Sequence, residues 1–308
     1  MKSPVLLLVL ALALAAACRS SSPGAVEARS LLGPELRRPE IPEDRRAELE
    51  ANLAAARAAW KADPSEENWI WVGRRLAYLA RYGEAVDWYT QGLAKFPQSH
   101  RLLRHRGHRY ITLRRFDSAT ADLRRAAALA AGVPDEWEPD GAPNRYGVPR
   151  STLQSNIYYH LGLAHYLGGR YEAALAAYER CLDYCTESAD MWVATAHWKY
   201  MTLRRLGRHE AARALVAGVQ PDMGVIENFD YLHLLSMYAG RLEPSKLVRD
   251  LAGEGVADAT VLYGVANWSL ANGNTDRARR LLQVAVDGTA WAAFGHIAGE
   301  FDLARMHL

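Results

Sequence analysis

Residues 161–182 read LGLAHYLGGRYEAALAAYERCL. Two runs with apolar residues at helical spacing flank the pair Gly168-Gly169, and each keeps a small residue at a set place, Gly162 in the first and Ala174 in the second. Apolar residues recurring every three to four positions give a helix one buried stripe. A glycine after the last periodic residue supplies the left-handed turn from which a second helix can fold back. The stretch predicts a helical hairpin whose members cross closely at Gly162 and Ala174, with Tyr158 and Tyr178 filling the space between them.

The same frame recurs as RYGEAVDWY at 81–89, RRFDSATADL at 115–124, GRHEAARALV at 207–216 and GNTDRARRLL at 273–282. Its alanines, Ala85, Ala119, Ala174, Ala212 and Ala278, are separated by 34, 55, 38 and 66 residues. These spacings resolve into a period near 34, with 21 residues inserted between the second and third units and one unit hidden before Ala278, where Ser245 stands five residues after Gly240. A period of that length, split into two helical halves at a turn, is the mark of a helical solenoid. A lone hairpin cannot cover its own apolar face, so neighbours must stack. Each large side chain such as Trp69 or Tyr89 contributes roughly 1.5–3 kcal/mol when fully buried.

The units resemble tetratricopeptide repeats. Glu66 to Ser99 carries Trp69, Gly73, Ala85, Tyr89 and Pro97 at the family's places, His100 to Val133 carries Gly107, Tyr110, Phe116, Ala119 and Ala126, and Ser155 to Ser188 carries Tyr158, Leu161, Gly162, Tyr171, Ala174 and Tyr178. The resemblance implies an all-α fold, a right-handed superhelical α-solenoid of about six helix-turn-helix repeats over residues 42–308. A C-terminal capping helix from Ala290 to about Met306 is expected after Thr289, because Trp291, Phe294, Ile297 and Phe301 recur at helical spacing.

With 308 residues, 50% of them hydrophobic and 23% charged, the chain has globular composition. Its 37 basic and 35 acidic residues leave a net charge of +2, so no overall field draws it onto nucleic acid, and no nucleic-acid partner is expected.

The first 18 residues read as a signal peptide. Lys2 precedes an apolar run of 13 residues from Val5 to Ala17, too short to span a bilayer. Cys18, which follows three alanines and precedes a Ser, Pro and Gly stretch, resembles the lipidated cysteine of bacterial lipoproteins. The resemblance, together with Arg19, implies an outer-membrane lipoprotein facing the periplasm, joined to the repeat domain by a flexible tether over 19–41. Ala15 and Ala17 also fit an ordinary cleavage site, which would leave a soluble secreted or periplasmic protein.

In tetratricopeptide repeats the first helix of each pair lines the concave side. The resemblance therefore assigns a peptide-binding set of Arg74, Arg101, Arg104, His108, Asn156, Tyr159 and Tyr166. Such a basic and aromatic groove suits a protein or peptide partner bearing acidic groups, since guanidinium forks pair with carboxylates bidentately. A solvated arginine face reads the same way.

The insertion at about 132–153, GVPDEWEPDGAPNRYGVPRSTL, holds four prolines and four acids, and loops of this length inside compact stacks are often functional. Asp140-Gly141 marks a turn, Asn144 and Arg145 could point back over the groove, and Ser151 with Gln154 has capping-box spacing for the next helix. The loop reads as a lid over a binding site or as a patch over a widened joint. As a lid it would close a small molecule or glycan against Tyr159 and His160, the alternative to a peptide in the groove.

Of the histidines His100, His105 and His108, only the last two have ligand spacing, and their neighbours are arginines, so no metal site and no cofactor are expected. Cys181 and Cys185 read as buried or free thiols, or as a disulfide at a frayed helix end. No catalytic motif stands out, and the chain is not expected to be an enzyme.

Overall fold

A computed structural model describes residues 24–141, 144–249 and 255–306. The expected signal peptide, with Cys18 at its end, lies outside the described residues. Helix α1 (Glu43–Ala62) leads six hairpins. These are α2 (Glu66–Tyr78) with α3 (Tyr82–Lys95), α4 (His100–Thr112) with α5 (Phe116–Ala130), and α6 (Leu153–Leu167) with α7 (Tyr171–Leu182). The array continues through α8 (Ala189–Arg205) with α9 (His209–Ala217), α10 (Phe229–Tyr238) with the four-residue α11 (Pro244–Leu247), and α12 (Val256–Ala271) with α13 (Thr275–Asp287). The cap, α14, runs from Phe294 to Met306, four residues later than expected. The fold is the all-α solenoid that the period implies.

The small residues sit where helices cross. A Cβ on Gly73 would lie 2.2 Å from the Tyr89 ring, and one on Gly162 2.3 Å from the Tyr178 ring, so neither position admits even alanine without displacing a buried aromatic. Serines start the first helices: Ser65, Ser99 and Ser188 accept from the backbone N–H groups of Asn68, Leu102 and Met191. Helix α6 is capped by Thr152 with Ser155 in a reciprocal box, one residue later than the pairing of Ser151 with Gln154. The hairpin turns share one left-handed residue, which is glycine at 169, 207, 240 and 273 but Ala80 (φ 54°) and Arg114 (φ 61°) in the first two units.

The expected flexible tether is corrected from residue 24 onward. Strands β1 (Val26–Arg29) and β2 (Glu35–Arg37) pair antiparallel, and Glu27 is buried in an ion pair with Arg38 while also accepting from the Gly83 N–H at 2.9 Å. This hairpin is held because the array curls until its last helices rest on its early ones: α12 touches α8 and α14 touches α6. At the seam the Trp291 indole donates to the Arg37 carbonyl at 2.8 Å, and the Leu31 N–H donates to Glu300 at 3.1 Å. Arg114 grips Glu300 with two bonds, at 2.6 and 3.1 Å. Among the described residues no helix is long and apolar enough to cross a membrane.

Candidate functional site

Curling divides the inner surface into two parts. Over α6 and α8 it is filled: Tyr166 is 1% exposed with its hydroxyl 2.8 Å from that of Tyr263, and the Tyr159 hydroxyl lies 3.4 Å from that of Tyr231. Tyr159 and Tyr166, two members of the expected peptide-binding set, are therefore core residues. Over α2 and α4 a cavity of about 330 Å³ remains, roofed by the insertion.

The insertion is pinned at both ends. The Glu138 N–H donates to the Ser151 carbonyl at 3.0 Å, the Leu153 N–H donates to the Glu136 carbonyl at 2.9 Å, and the Gln154 side chain donates to the Val133 carbonyl at 2.9 Å. Between these anchors residues 136–141 cross the ends of α2 and α4. Arg104 donates to the Glu138 carboxylate at 2.6 Å, Asn156 donates to the same oxygen, and His105 stands 3.6 Å from the other oxygen. Arg74 donates to the Pro139 carbonyl at 2.8 Å and Arg75 to the Gly141 carbonyl at 3.3 Å. A Cβ on Gly141 would meet the Tyr78 hydroxyl at 2.1 Å, which explains the glycine there.

Arg74, Arg104, His108, Asn156 and Asp140 from the expected set thus line one cavity. Arg101 sits outside it, bound to Glu67 at 2.5 Å. Asn144 and Arg145 do not turn back over the groove: the Asn144 side chain closes its own turn onto Tyr146 and Val148, and Arg145 stacks over Tyr146 on the exposed surface. The sequence reading missed Arg109 and Glu138. Arg104, His105, His108 and Arg109 form a polar stripe at i, i+1, i+4 and i+5 along α4, broader than the inner-face positions alone, and that breadth was the available signal.

Burial sets the electrostatics. It pushes His105, His108 and His160 well below the ordinary histidine range, with nearby arginines adding to the effect, so the three rings are neutral at pH 7. Burial also pushes the Glu138 carboxyl above its usual range, opposed by Arg104. Cys181 and Cys185 are free, buried thiols with sulfurs 3.9 Å apart, and α7 has ended before the second. Among the described residues no group of three or more His, Cys, Asp or Glu is arranged to hold a metal ion.

Residues 155–188, spanning α6 and α7, match the family model of the tetratricopeptide repeat. No curated protein matches the chain. Among solved structures it is similar to YrrB, a protein of this repeat class with an unusual peptide-binding site, at 14% identity over 82% of this chain and 98% of that one, with a TM-score of 0.43. A tetratricopeptide repeat protein from Parabacteroides merdae is similar at 14% identity over 79% of this chain and 88% of that one, TM-score 0.48. A chain of the Cut9–Hcn1 hetero-tetramer of the APC/C is similar at 15% identity over 78% and 40%, TM-score 0.45.

Proposed function

We propose that this chain, whose residues 155–188 match the tetratricopeptide repeat, serves as a membrane-tethered interaction scaffold in the periplasm that holds an acidic, extended segment of a partner protein across α2 and α4. The observation that carries this reading is the chain's own acidic stretch, Glu136 to Gly141, laid over that face with its carboxylate on Arg104 and Asn156 and its carbonyls on Arg74 and Arg75. A surface that holds one such segment has the chemistry to hold another, because main-chain carbonyls and carboxylates are what guanidinium forks recognise. Arg101 extends the face toward solvent, with a side chain 22% exposed and Glu136 4.0 Å away. The filled inner surface over α6 and α8 leaves this face as the place where a partner enters.

The test uses a variant in which residues 134–149 are replaced by a short Gly-Ser linker, with the synthetic peptide DEWEPDG as ligand. The peptide is expected to bind the linker variant, and Arg101→Glu in that background is expected to weaken it about tenfold or more, the size of a charged hydrogen-bonded contact. A folded linker variant that ignores the peptide would sink the reading. The tether is tested separately: Cys18→Ser should move the protein from the membrane fraction to the soluble fraction.

A further inference from the structure

The charges of the cavity do not cancel. Arg104 is answered by Glu138, and Arg150 by Asp140 at 3.5 Å and Glu227 at 2.5 Å. Arg74 and Arg109 are left over: among the described residues no carboxylate lies within ion-pair distance of either. Arg74 donates only to neutral oxygens, those of Pro139 and Tyr78, and the Arg109 guanidinium faces the Tyr82 ring at 5.4 Å. Both side chains line the cavity, and Arg109 lies deep enough for burial to lower its pKa. Both guanidinium groups are half-buried, and Glu138, already held by Arg104, is the carboxylate that Arg74 feels, so placing the second guanidinium near the first with no ion-pair partner of its own costs stability. Proteins tolerate such an arrangement where a ligand supplies the missing charge.

We propose that the cavity beneath the proline-rich loop is the binding site of a small dianion, a dicarboxylate or a phosphate monoester, seated between Arg74 and Arg109. The neighbouring rings suit this ligand. His108 is neutral and offers an N–H without adding charge; the neutral His160 ring, 4.2 Å from it between centroids, donates its own N–H to the Asn156 carbonyl at 2.7 Å and closes the wall beside it. Tyr89, held neutral by burial, closes another wall. Glu138 does not oppose the ligand strongly, since its carboxylate is already engaged by Arg104 and Asn156. A volume of about 330 Å³ falls at the small end of ligand pockets, which suits a metabolite-sized anion. Arg74 joins the site to the lid, because it also holds the Pro139 carbonyl. Ligand binding therefore fastens the loop over α2 and α4.

The experiment titrates the folded protein, without any partner, with sodium succinate and with inorganic phosphate, using succinamide and acetate as the neutral and singly charged controls. At about a hundredfold excess over Kd the better dianion is expected to raise Tm by roughly 5 °C or more, with little effect from either control. Preference for succinate or for phosphate assigns the ligand to dicarboxylates or to phosphate esters. Arg109→Met should weaken binding about tenfold or more, and the unliganded variant should melt no lower than the parent because a half-buried guanidinium without an ion-pair partner has been removed. If that variant fails to fold, Arg74→Met serves in its place, and the ring signals of His108 and His160 in the parent protein must move on addition of the dianion. No response to either dianion, or an equal response in the parent and both variants, overturns the proposal. Neither result bears on whether the linker variant binds the acidic peptide, so the two readings fail separately.

Discussion

Helices α4 and α6 occupy the same place in successive repeats and turn the same face inward, yet α4 lines the cavity with most of that face while α6 gives it only Asn156 and His160 and buries Tyr159 and Tyr166 in the core. On α4, Arg104, His108 and Arg109 look into open space beneath the loop. On α6, Tyr159 meets Tyr231 and Tyr166 meets Tyr263 and Asn267, so every inward hydroxyl has a partner from a later helix. The difference does not come from repeat position. It comes from how far the array curls, which brings α10, α12 and α14 over α6 and α8 and leaves α2 and α4 to the insertion. A repeat template names the residues that face inward, whereas long-range closure decides which of them stay available.

Closure should break most sharply at Glu300. Its carboxylate is fully buried and accepts from Arg114, from the Leu31 N–H and from His296 at 3.1 Å. Glu300→Ala would leave the Arg114 guanidinium, 3% exposed, without its counter-charge, and the expected loss is about 3–5 kcal/mol. Urea unfolding measures it, and an unchanged midpoint would mean that the seam does not depend on this pair. Arg114 also occupies a left-handed turn where four other units use glycine, a conformation that costs a branched-free side chain roughly 1–2 kcal/mol. Arg114→Gly should therefore cost less than Arg114→Ala, which keeps the backbone strain and also loses the ion pair.

Acid should come next, acting on both regions through their histidines. Burial lowers His197, in the filled half, to about 3 from an ordinary value near 6.5, and His105, His108 and His160 in the cavity half are lowered as well. A base whose folded pKa is depressed stays neutral in the fold while the unfolded chain takes up protons, so its stability contribution is intact above about pH 6.5. That contribution is lost as pH falls toward the folded value, at about 1.4 kcal/mol per pH unit for each fully engaged ring. Glu300 adds a second, lower window. Burial pushes it up, but bonds from His296 and Arg114 hold it at about 2, so its contribution is present above about pH 4.5 and disappears as pH falls toward 2. Urea midpoints that stay level from pH 7 to pH 4.5 would contradict the histidine part.

The period, the hairpins, the crossing glycines and the closing helix were all legible because each rests on contacts within one unit or between adjacent ones. Gly162 against Tyr178 is such a contact. The seam was not legible, since Arg114 and Glu300 stand 186 residues apart and neither carries a local pattern. The β-hairpin at 26–37 was missed for the same reason: a two-stranded ribbon is marginal alone and persists here because Glu27, Leu31 and Arg37 are tied to distant elements. Half of the site was visible as inner-face arginines. Arg109 and Glu138 were not, because one lies beside the repeat's inward positions and the other gains its role only when the loop folds back.

The outer surface supplies the control for the inner one. Arg208 donates to both oxygens of Glu172 at 2.8 and 2.9 Å, linking the third and fourth units as directly as Arg114 links the two ends of the array. Its side chains, however, are 47% and 67% exposed, so water already solvates both charges and salt screens their attraction. Glu172→Ala is expected to shift the unfolding free energy by less than about 1 kcal/mol. Both pairs join separate units with well-formed hydrogen bonds, so geometry alone predicts equal losses, whereas desolvation predicts a several-fold gap. Equal urea midpoints for Glu172→Ala and Glu300→Ala would show that inter-unit bridging itself, and not the burial of Glu300, holds the array closed.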